Sequence, residues 1–138
     1  MITTVGSCIA LCLYDRSNKI GGMAHIVLPV SRRFKQDSQF KFADTAVPAL
    51  FCALVSKGAS RVSIAAKIAG GANMFPLVNK SILNIGEENV IATKKSLKQV
   101  GLKLAGEDVK GTKGRKIEFH LSTGDVLVQK LSGEVIVL

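Results

Sequence analysis

Long apolar runs are missing from this sequence, and their absence excludes one class of protein. A membrane-spanning helix needs about 20 consecutive apolar residues, whereas apolar runs such as CIALCLY and GGMAHIVLPV are far too short. The first residues also lack the basic start and the long apolar segment of a secretory signal. We therefore expect a protein that is not inserted in a membrane and that works in the cytoplasm.

Cysteine is also scarce, and the number of cysteines is odd. Cys8, Cys12 and Cys52 follow one another at intervals of 4 and 40 positions, which is not the spacing of a disulfide framework. In a reducing compartment we expect all three to be free thiols. Because Cys12 and Cys52 lie inside apolar runs, we expect both to be buried residues of the core.

Acidic and aromatic residues are few. Ten Asp and Glu oppose 19 Lys and Arg, so the formal net charge is +9, which favours solubility and attraction to an acidic protein partner. The basic residues are scattered along the chain, which has no Trp, one Tyr and no recognisable nucleic-acid-binding motif. We therefore do not expect nucleic acid among the partners.

The most informative stretch that is present spans residues 3–29. Two apolar runs are joined by the polar segment DRSNK, which is typical of two buried strands in a β-hairpin. Gly6 and Ser7 precede Cys8 in the first run, and His25 lies in the second. Opposed residues of an antiparallel pair have numbers with a constant sum. A sum of 33 places Cys8 opposite His25, a sum of 35 makes them diagonal neighbours on one face, and an even sum would separate them.

A thiol and an imidazole on one sheet face are the minimum parts of a cysteine nucleophile with its base. The Gly-Ser dipeptide before Cys8 exposes the start of the strand and frees backbone N–H groups to face a reacting oxygen. In the alternative interpretation, Cys8 is a buried cysteine at a strand end and His25 is a core histidine. Thr3 or Thr4 could form a hydrogen bond with the imidazole, although threonine at a strand edge also simply favours β structure.

Other candidate sites are less favoured. A zinc site at Cys8, Cys12 and His25 would need a fourth ligand, and cysteines four positions apart on one strand are ~13 Å apart. Gly70 and Gly71 in AGGANMF suggest a phosphate loop, but the lysine and the spacing of that motif are missing. A tight turn that brings backbone close to the reactive face is favoured there. We expect no metal and no cofactor, and we expect His120 to be a surface residue.

Two segments have the apolar spacing of helices. The first begins near residue 42, and its apolar residues share one face: Val47, Leu50, Phe51 and Leu54. Asp44 is its expected N-cap and Gly58 its expected end. The second helix spans 87–100, with Asn84 as its cap and Gly101 at its end. Its apolar stripe is narrow, so we expect this helix to lie on the surface.

The remaining segments predict strands. Residues 61–71 indicate a strand that runs into a glycine turn, and four short alternating segments follow residue 101. The order is therefore hairpin, helix, strand, helix and several strands. We predict an α+β fold, one compact domain over 1–138, with a mostly antiparallel sheet, the hairpin at its centre and two main helices packed on it.

Several segments occur in one order that is familiar: VGSCIALCLYD, GGMAHIVLP, KFADTAV, KIAGGANMF, NIGEENV and GRKIEFHLSTGDVLV. Together they resemble the chemoreceptor glutamine deamidase family, CheD, over nearly the whole chain. The resemblance implies an amidohydrolase that converts selected glutamines on the cytoplasmic coiled coil of chemoreceptors to glutamate and releases ammonia. Some members also hydrolyse glutamyl methyl esters. The alternative that the resemblance implies is an adaptor that binds and stimulates a CheC-type phosphatase of the response regulator.

The resemblance also implies a Cys–His–Thr triad. Cys8 and His25 fall on the positions of the nucleophile and the base, so the expected reaction passes through a cysteine thioester. The threonine falls within residues 2–4, depending on which family member is followed, and we take Thr3. Backbone N–H groups around Gly6 and Ser7 are the candidates for stabilising the oxyanion and binding the substrate.

Overall fold

The computed structural model describes residues 1–31, 38–75 and 84–138. Within these ranges, the strands are β1 (Ile2–Val5), β2 (Ile9–Asp15), β3 (Ile20–Ile26), β4 (Ile64–Gly70), β5 (Lys103–Val109), β6 (Arg115–His120), β7 (Asp125–Lys130) and β8 (Val135–Val137). The helices are α1 (Ala43–Ser56) and α2 (Ile85–Val100), with one short 3₁₀ turn before α1. The predicted α+β class is confirmed. No helix in this part of the chain combines the length and the apolar character that crossing a membrane requires.

The described strands form two four-stranded sheets. The first sheet has the order β3-β2-β4-β5, and the second has the order β1-β6-β7-β8. Neighbouring strands are antiparallel except for β4 and β5, which run parallel and are connected through α2. The predicted hairpin forms β2 and β3, but only β2 is central, because β3 pairs with β2 alone and lies at an edge of the described sheet.

β2 separates two apolar cores, and all seven of its residues are buried. The side chains of Ile9, Leu11 and Leu13 pack with both helices, and the even-numbered side chains pack with the second sheet. Tyr14, for example, meets Phe119 of β6 edge-on, with ring centroids 6.0 Å apart. Cys12 is buried on the same face, as predicted. The molecule thus has three layers, and the division of the predicted sheet into two was not expected.

α1 begins at Ala43 and ends before Gly58, close to the predicted bounds. The prediction that Asp44 is the N-cap is wrong, because the capping position is occupied by Phe42. The Asp44 carboxylate instead accepts hydrogen bonds from the backbone N–H and the hydroxyl of Ser31. Asp44 therefore connects the helix start to the chain that follows β3.

Cys52 is exposed, so its predicted burial is wrong. The prediction rested on the apolar run around it, whereas a helix buries only the residues on one face. Cys52 follows the buried Phe51, and one step along a helix turns a side chain by about 100°. The buried face predicted from Leu50, Phe51 and Leu54 is correct, and Cys52 points away from it.

α2 begins at Ile85, two residues before the predicted start at residue 87, whereas its predicted cap and its predicted end are confirmed. The Asn84 side chain accepts a hydrogen bond from the Glu87 N–H at 3.1 Å, and Gly101 ends the helix. The buried face is wider than the predicted apolar stripe and is partly polar. It consists of Gly86, Asn89, Val90, Thr93, Ser96 and Leu97. Polar side chains on this face bring hydrogen-bonding groups into the interior, next to the first sheet.

Candidate active site

The candidate nucleophile lies in a three-residue segment, residues 6–8, that we call the thiol loop. It joins β1 of the second sheet to β2 of the first sheet. Because the chain crosses between sheets here, Cys8 lies one position outside the ladder of β2. Its side chain is half-buried at the rim of the core between the sheets. Cys8 is therefore not sealed in the interior, in contrast to Cys12.

The thiol and the imidazole lie on the same face of the first sheet. Ala10 pairs with His25 and Ile9 pairs with Ile26, so opposed residues add up to 35. Cys8 packs against the core cluster that contains Ala10, and this register, continued one position past the end of the ladder, makes Cys8 the diagonal neighbour of His25. Diagonal Cβ atoms lie ~7–8 Å apart, which is within reach of two side chains. His25 is exposed, so the interpretation of it as a core histidine is wrong.

The imidazole contacts a threonine of the other sheet. Thr3 Oγ1 lies 3.0 Å from Nδ1 of His25, which is hydrogen-bonding distance. Thr3 belongs to β1, whose partner is β6 of the second sheet, whereas His25 belongs to the first sheet. The contact therefore bridges the two sheets and holds the ring from its Nδ1 side. It leaves Nε2 as the nitrogen available to another group.

A glycine turn holds the thiol loop from one side. Gly70 and Gly71, at the end of β4, have φ angles of +118° and +66°, which residues with a Cβ rarely adopt. A Cβ on Gly70 would collide with the Cys8 carbonyl oxygen. The turn donates hydrogen bonds of 2.9 Å from Gly71 N–H to the Cys8 carbonyl and from Ala72 N–H to the Gly6 carbonyl. The predicted tight turn beside the reactive face is confirmed.

Two amide N–H groups of the thiol loop have no carbonyl acceptor among the described residues. Its Gly6 and Cys8 carbonyls bind the glycine turn, and the Ser7 carbonyl accepts a 3.0 Å hydrogen bond from the Asn89 side chain. By contrast, the N–H groups of Ser7 and Cys8 donate to no carbonyl of a described residue. Because the carbonyls of the loop accept hydrogen bonds from the protein interior, the N–H groups of Ser7 and Cys8 can donate hydrogen bonds to an anion beside the sulfur.

The three thiols lie in three different environments. Burial raises the pKa of the half-buried Cys8 thiol, and its own backbone N–H and the Ser7 side chain oppose that effect. Burial raises the pKa of Cys12 to about 12, so Cys12 is a neutral and inert thiol at pH 7. Cys52 is exposed on α1, remote in sequence from the site. Only Cys8 combines accessibility with an imidazole on the same face.

One residue of the site was missed by the sequence reasoning. Asn89 on α2 is fully buried and contacts the thiol loop. A signal was present in the sequence, since Asn89, Thr93 and Ser96 follow one another at the spacing of one helical face, beside Val90 and Leu97. Polar residues at positions that should be apolar indicate buried hydrogen bonding. The other histidine, His120, is exposed on β6 as predicted and takes no part in this site.

A half-buried thiol, an imidazole on the same sheet face and a hydroxyl at the far ring nitrogen form the kind of constellation found in cysteine-dependent hydrolases. The three groups come from β1, the thiol loop and β3, and a glycine turn and a helix hold the backbone between them.

Comparison with known proteins identifies the family. The chain belongs to the CheD family, described as CheD chemotactic sensory transduction, which matches residues 27–130. The chain is similar to the probable chemoreceptor glutamine deamidase CheD of Methanococcus vannielii, with 48% identity over 93% of this chain and 82% of that protein. It is 46% identical to the chemoreceptor glutamine deamidase CheD of Thermotoga maritima over 94% of this chain and 80% of that protein. The predicted family is confirmed, although the family match begins after Cys8 and His25.

Proposed function

We propose that this chain is a protein-glutamine deamidase that hydrolyses glutamine side-chain amides of chemoreceptors to glutamate and ammonia, with Cys8 as nucleophile and His25 as base. The names of the relatives support the reaction and the substrate. The observation that carries the assignment of residues is the 3.0 Å contact of Thr3 with His25. It orients the imidazole on the face that carries the sulfur.

The resting site holds its proton on sulfur. In the tautomer in which His25 donates its Nδ1–H to the Thr3 hydroxyl oxygen, Nε2 is free to accept a proton. Because burial raises the pKa of Cys8, a neutral thiol is favoured at pH 7. The proton therefore moves to Nε2 during attack, and the site does not depend on a preformed thiolate–imidazolium pair.

The reaction takes two covalent steps. The Cys8 sulfur attacks the side-chain carbonyl carbon of glutamine, a C–S bond forms, and the C–N bond breaks. His25 gives its proton to the departing nitrogen, which leaves as ammonia, and the glutamyl group stays bound to the Cys8 sulfur as a thioester. Water then loses a proton to the same imidazole and attacks the thioester, so that glutamate leaves and the thiol is restored. Acid–base assistance of this kind contributes typically ~10²–10⁴-fold.

The negative charge that develops on the carbonyl oxygen needs donors. The amide N–H groups of Ser7 and Cys8 are suited to this role, because they lie beside the sulfur and no described carbonyl occupies them. A donor of this kind is worth about 3–4 kcal/mol in the transition state. The glycine turn and Asn89 stabilise the loop conformation that presents these donors.

The substrate side chain belongs to a large partner, the cytoplasmic coiled coil of a chemoreceptor, and the reaction takes place in the cytoplasm. An open site suits a glutamine on the surface of a rod, and His25 is exposed to such a partner. The net charge of +9 favours association with an acidic receptor surface. Association of this type weakens as salt screens the charges. We therefore expect turnover at limiting substrate to fall with ionic strength.

Mass spectrometry of a receptor fragment tests the proposal. The fragment is incubated with the wild-type protein and with Cys8→Ala, and each glutamine is scored for conversion to glutamate. We expect conversion with the wild type alone. An unchanged glutamine pattern with both proteins would contradict the deamidase proposal and would favour the adaptor function, in which the chain binds and stimulates a CheC-type phosphatase. Binding of that phosphatase by folded Cys8→Ala separates the two functions.

A further inference from the structure

A single buried amide on α2 binds both chain segments at the open end of the hairpin, the thiol loop before β2 and the residue that follows β3. Asn89 has no exposed surface. Its Nδ2 donates one hydrogen bond of 3.0 Å to the Ser7 carbonyl and a second of 3.0 Å to the Val27 carbonyl. Ser7 immediately precedes Cys8, and Val27 lies two residues after His25. The amide therefore joins the backbone beside the nucleophile to the backbone beside the base.

This bridge lies where the ladder between the two strands ends. The pairing of β2 with β3 stops at Ile9 and Ile26. Beyond that pair the Val27 N–H turns away and donates to the Lys41 carbonyl. The spacing between the thiol loop and the end of β3 is then set by the two Asn89 hydrogen bonds, since the register of β2 and β3 no longer extends to Cys8.

The helix that carries Asn89 is itself fixed against the site. Gly86, one turn earlier, packs so closely on the glycine turn that a Cβ would collide with the Ala72 carbonyl. The same turn binds the Gly6 and Cys8 carbonyls. The thiol loop is thus held by a rigid frame of the turn and the first two turns of α2, and the Asn89 amide extends that frame to β3.

The donor and the acceptor of the Asn89 amide are used differently. Nδ2 donates to two backbone carbonyls that flank the candidate nucleophile and the candidate base. Oδ1 is buried and accepts no hydrogen bond from a described residue. The hydrogen bonds that this side chain makes are therefore directed at the two segments that carry the groups that have to meet.

We propose that Asn89 is a positioning residue for the Cys8–His25 pair, acting through the backbone of Ser7 and Val27 and not through contact with the substrate. The proposal rests on the roles of Cys8 and His25 given above. Loss of the bridge lets the thiol loop and the end of β3 separate. A displacement of about 1 Å between reacting groups can reduce a rate ~10²-fold, whereas the receptor surface that binds the protein is unaffected.

Three variants of Asn89 measure the effect. Asn89→Asp keeps the shape and loses the donors, Asn89→Leu replaces the amide with an apolar group of similar volume, and Asn89→Ala removes it. We expect kcat for ammonia release from a recombinant receptor fragment to fall about 10–100-fold, while KM stays within about twofold. Thermal unfolding followed by circular dichroism first gives a temperature at which each variant is folded, and urea unfolding at that temperature gives its free energy of unfolding. A purely structural residue would leave kcat unchanged there.

A matched control lies one turn further along the helix. Thr93 is also fully buried, and its Oγ1 has no hydrogen-bond partner among the described residues, so it makes no side-chain hydrogen bond to the described thiol loop or β3. Thr93→Val removes a buried polar group of the same helix face and keeps the volume. We expect its kcat and KM to match the wild type.

A double-mutant cycle with His25 separates positioning from general damage. His25→Ala lowers kcat strongly in the wild-type background, and we expect it to lower kcat at least about tenfold less in the Asn89→Leu background, because the base is already misplaced there. Additive losses would contradict the proposal.

The remaining outcomes are also decisive. A kcat within about twofold of the wild type in folded Asn89→Leu overturns the proposal. Failure of all three Asn89 variants to fold overturns it as well, since the amide would then determine the fold and not the site. Cys8→Ala is measured alongside: if it keeps full turnover, the proposed function fails, whereas if it is inactive and Asn89→Leu is fully active, only the positioning role fails.

Discussion

The β2–β3 hairpin is held by one buried polar side chain at each end, and the two are used differently. At the turn, the buried Asp15 carboxylate accepts hydrogen bonds from the N–H groups of Ser17, Asn18 and Ser60 and from the Asn18 side-chain amide, at 2.7–3.1 Å. At the open end, Asn89 donates to the thiol loop and to β3 and leaves its own Oδ1 unpaired among the described residues.

The different hydrogen bonding of Asp15 and Asn89 indicates that Asp15 serves the stability of the hairpin and that Asn89 serves the candidate site. Asp15 belongs to the hairpin, and both of its oxygens accept hydrogen bonds, so it closes the turn and ties it to the segment before β4. Asn89 comes from a remote helix and anchors carbonyls of two segments, beside a half-buried thiol and an exposed imidazole. We expect changes at the turn to alter stability and leave chemistry intact, and changes at the open end to do the reverse.

Removal of the sulfur at the open end should have the largest effect. We expect Cys8→Ala to lower deamidation by at least about 10³-fold, since a covalent mechanism has no substitute for its nucleophile. Because Cys8 is only half-buried, urea unfolding should change little. Cys52→Ala is the matched control, because it removes an exposed thiol, and its turnover should equal the wild type. Substantial turnover by Cys8→Ala would show that the catalytic centre does not lie at the open end of the hairpin.

Removal of the imidazole should rank second. We expect His25→Ala to lower kcat by ~10²–10⁴-fold through loss of the base and acid, with little change in the free energy of unfolding, because the ring is exposed. His120→Ala removes the other exposed histidine, on β6, and should leave kcat unchanged. Equal losses in the two variants would show that histidine charge, and not its place beside Cys8, is what matters.

Thr3 should contribute less, because it acts on the imidazole and not on the substrate. We expect Thr3→Val to lower kcat about tenfold, since an imidazole without its Nδ1 partner no longer holds one tautomer. Thr4→Val is the control on the same strand, because Thr4 is exposed. Parallel kinetic measurements on both variants decide the point, and equal kcat values for Thr3→Val and the wild type would exclude the threonine from the site.

A substitution of Asp15 at the turn should have the smallest effect on kcat and a clear effect on the free energy of unfolding. Hydrogen bonds, chiefly from the Asn18 side chain and then from Ser60 N–H, lower the pKa of Asp15 in the folded state. Its contribution is therefore present above its unfolded pKa of about 4 and is lost as pH falls through the lower folded pKa. We expect Asp15→Asn to be less stable than the wild type at pH 7, with kcat unchanged in the folded protein.

Urea unfolding from pH 7 to pH 2 measures that contribution. The pKa of Glu118 is also lowered, so both proteins lose stability in acid, and the difference between them isolates Asp15. We expect this difference to shrink as pH falls. A constant difference over the whole range would mean that Asp15 does not stabilise the turn as a carboxylate.

The sequence was sufficient for the local features of the site and insufficient for the distant ones. Alternation along the hairpin restricted Cys8 and His25 to two registers on a shared face, and the structure has the register with a sum of 35. The choice between them depended on the geometry of the turn, where Lys19 adopts a positive φ of 54°. Local periodicity cannot supply that geometry.

Long-range contacts account for what local reasoning from the residues could not supply, although the family resemblance had already indicated Thr3. Nothing in the sequence says that β1 pairs with β6 and not with the hairpin, and that pairing is what brings Thr3 to His25 from another sheet. The Asn89 bridge joins residues 82 and 62 positions apart. The burial predicted for Cys52 was wrong for a different reason. The prediction relied on the apolar run around Cys52, although the helical spacing of the buried residues already put Cys52 on the exposed face of α1.

The coupling of sulfur and imidazole at the open end is tested most directly by site-resolved alkylation. Wild type and His25→Ala are treated with iodoacetamide at pH 7, and peptide mass spectrometry follows each thiol, with exposed Cys52 as internal reference and buried Cys12 as the unreactive one. We expect Cys8 to react at least about tenfold faster in the wild type than in His25→Ala, because the base removes its proton, while Cys52 reacts equally in both. Equal rates for Cys8 in the two proteins would contradict the pairing of these groups.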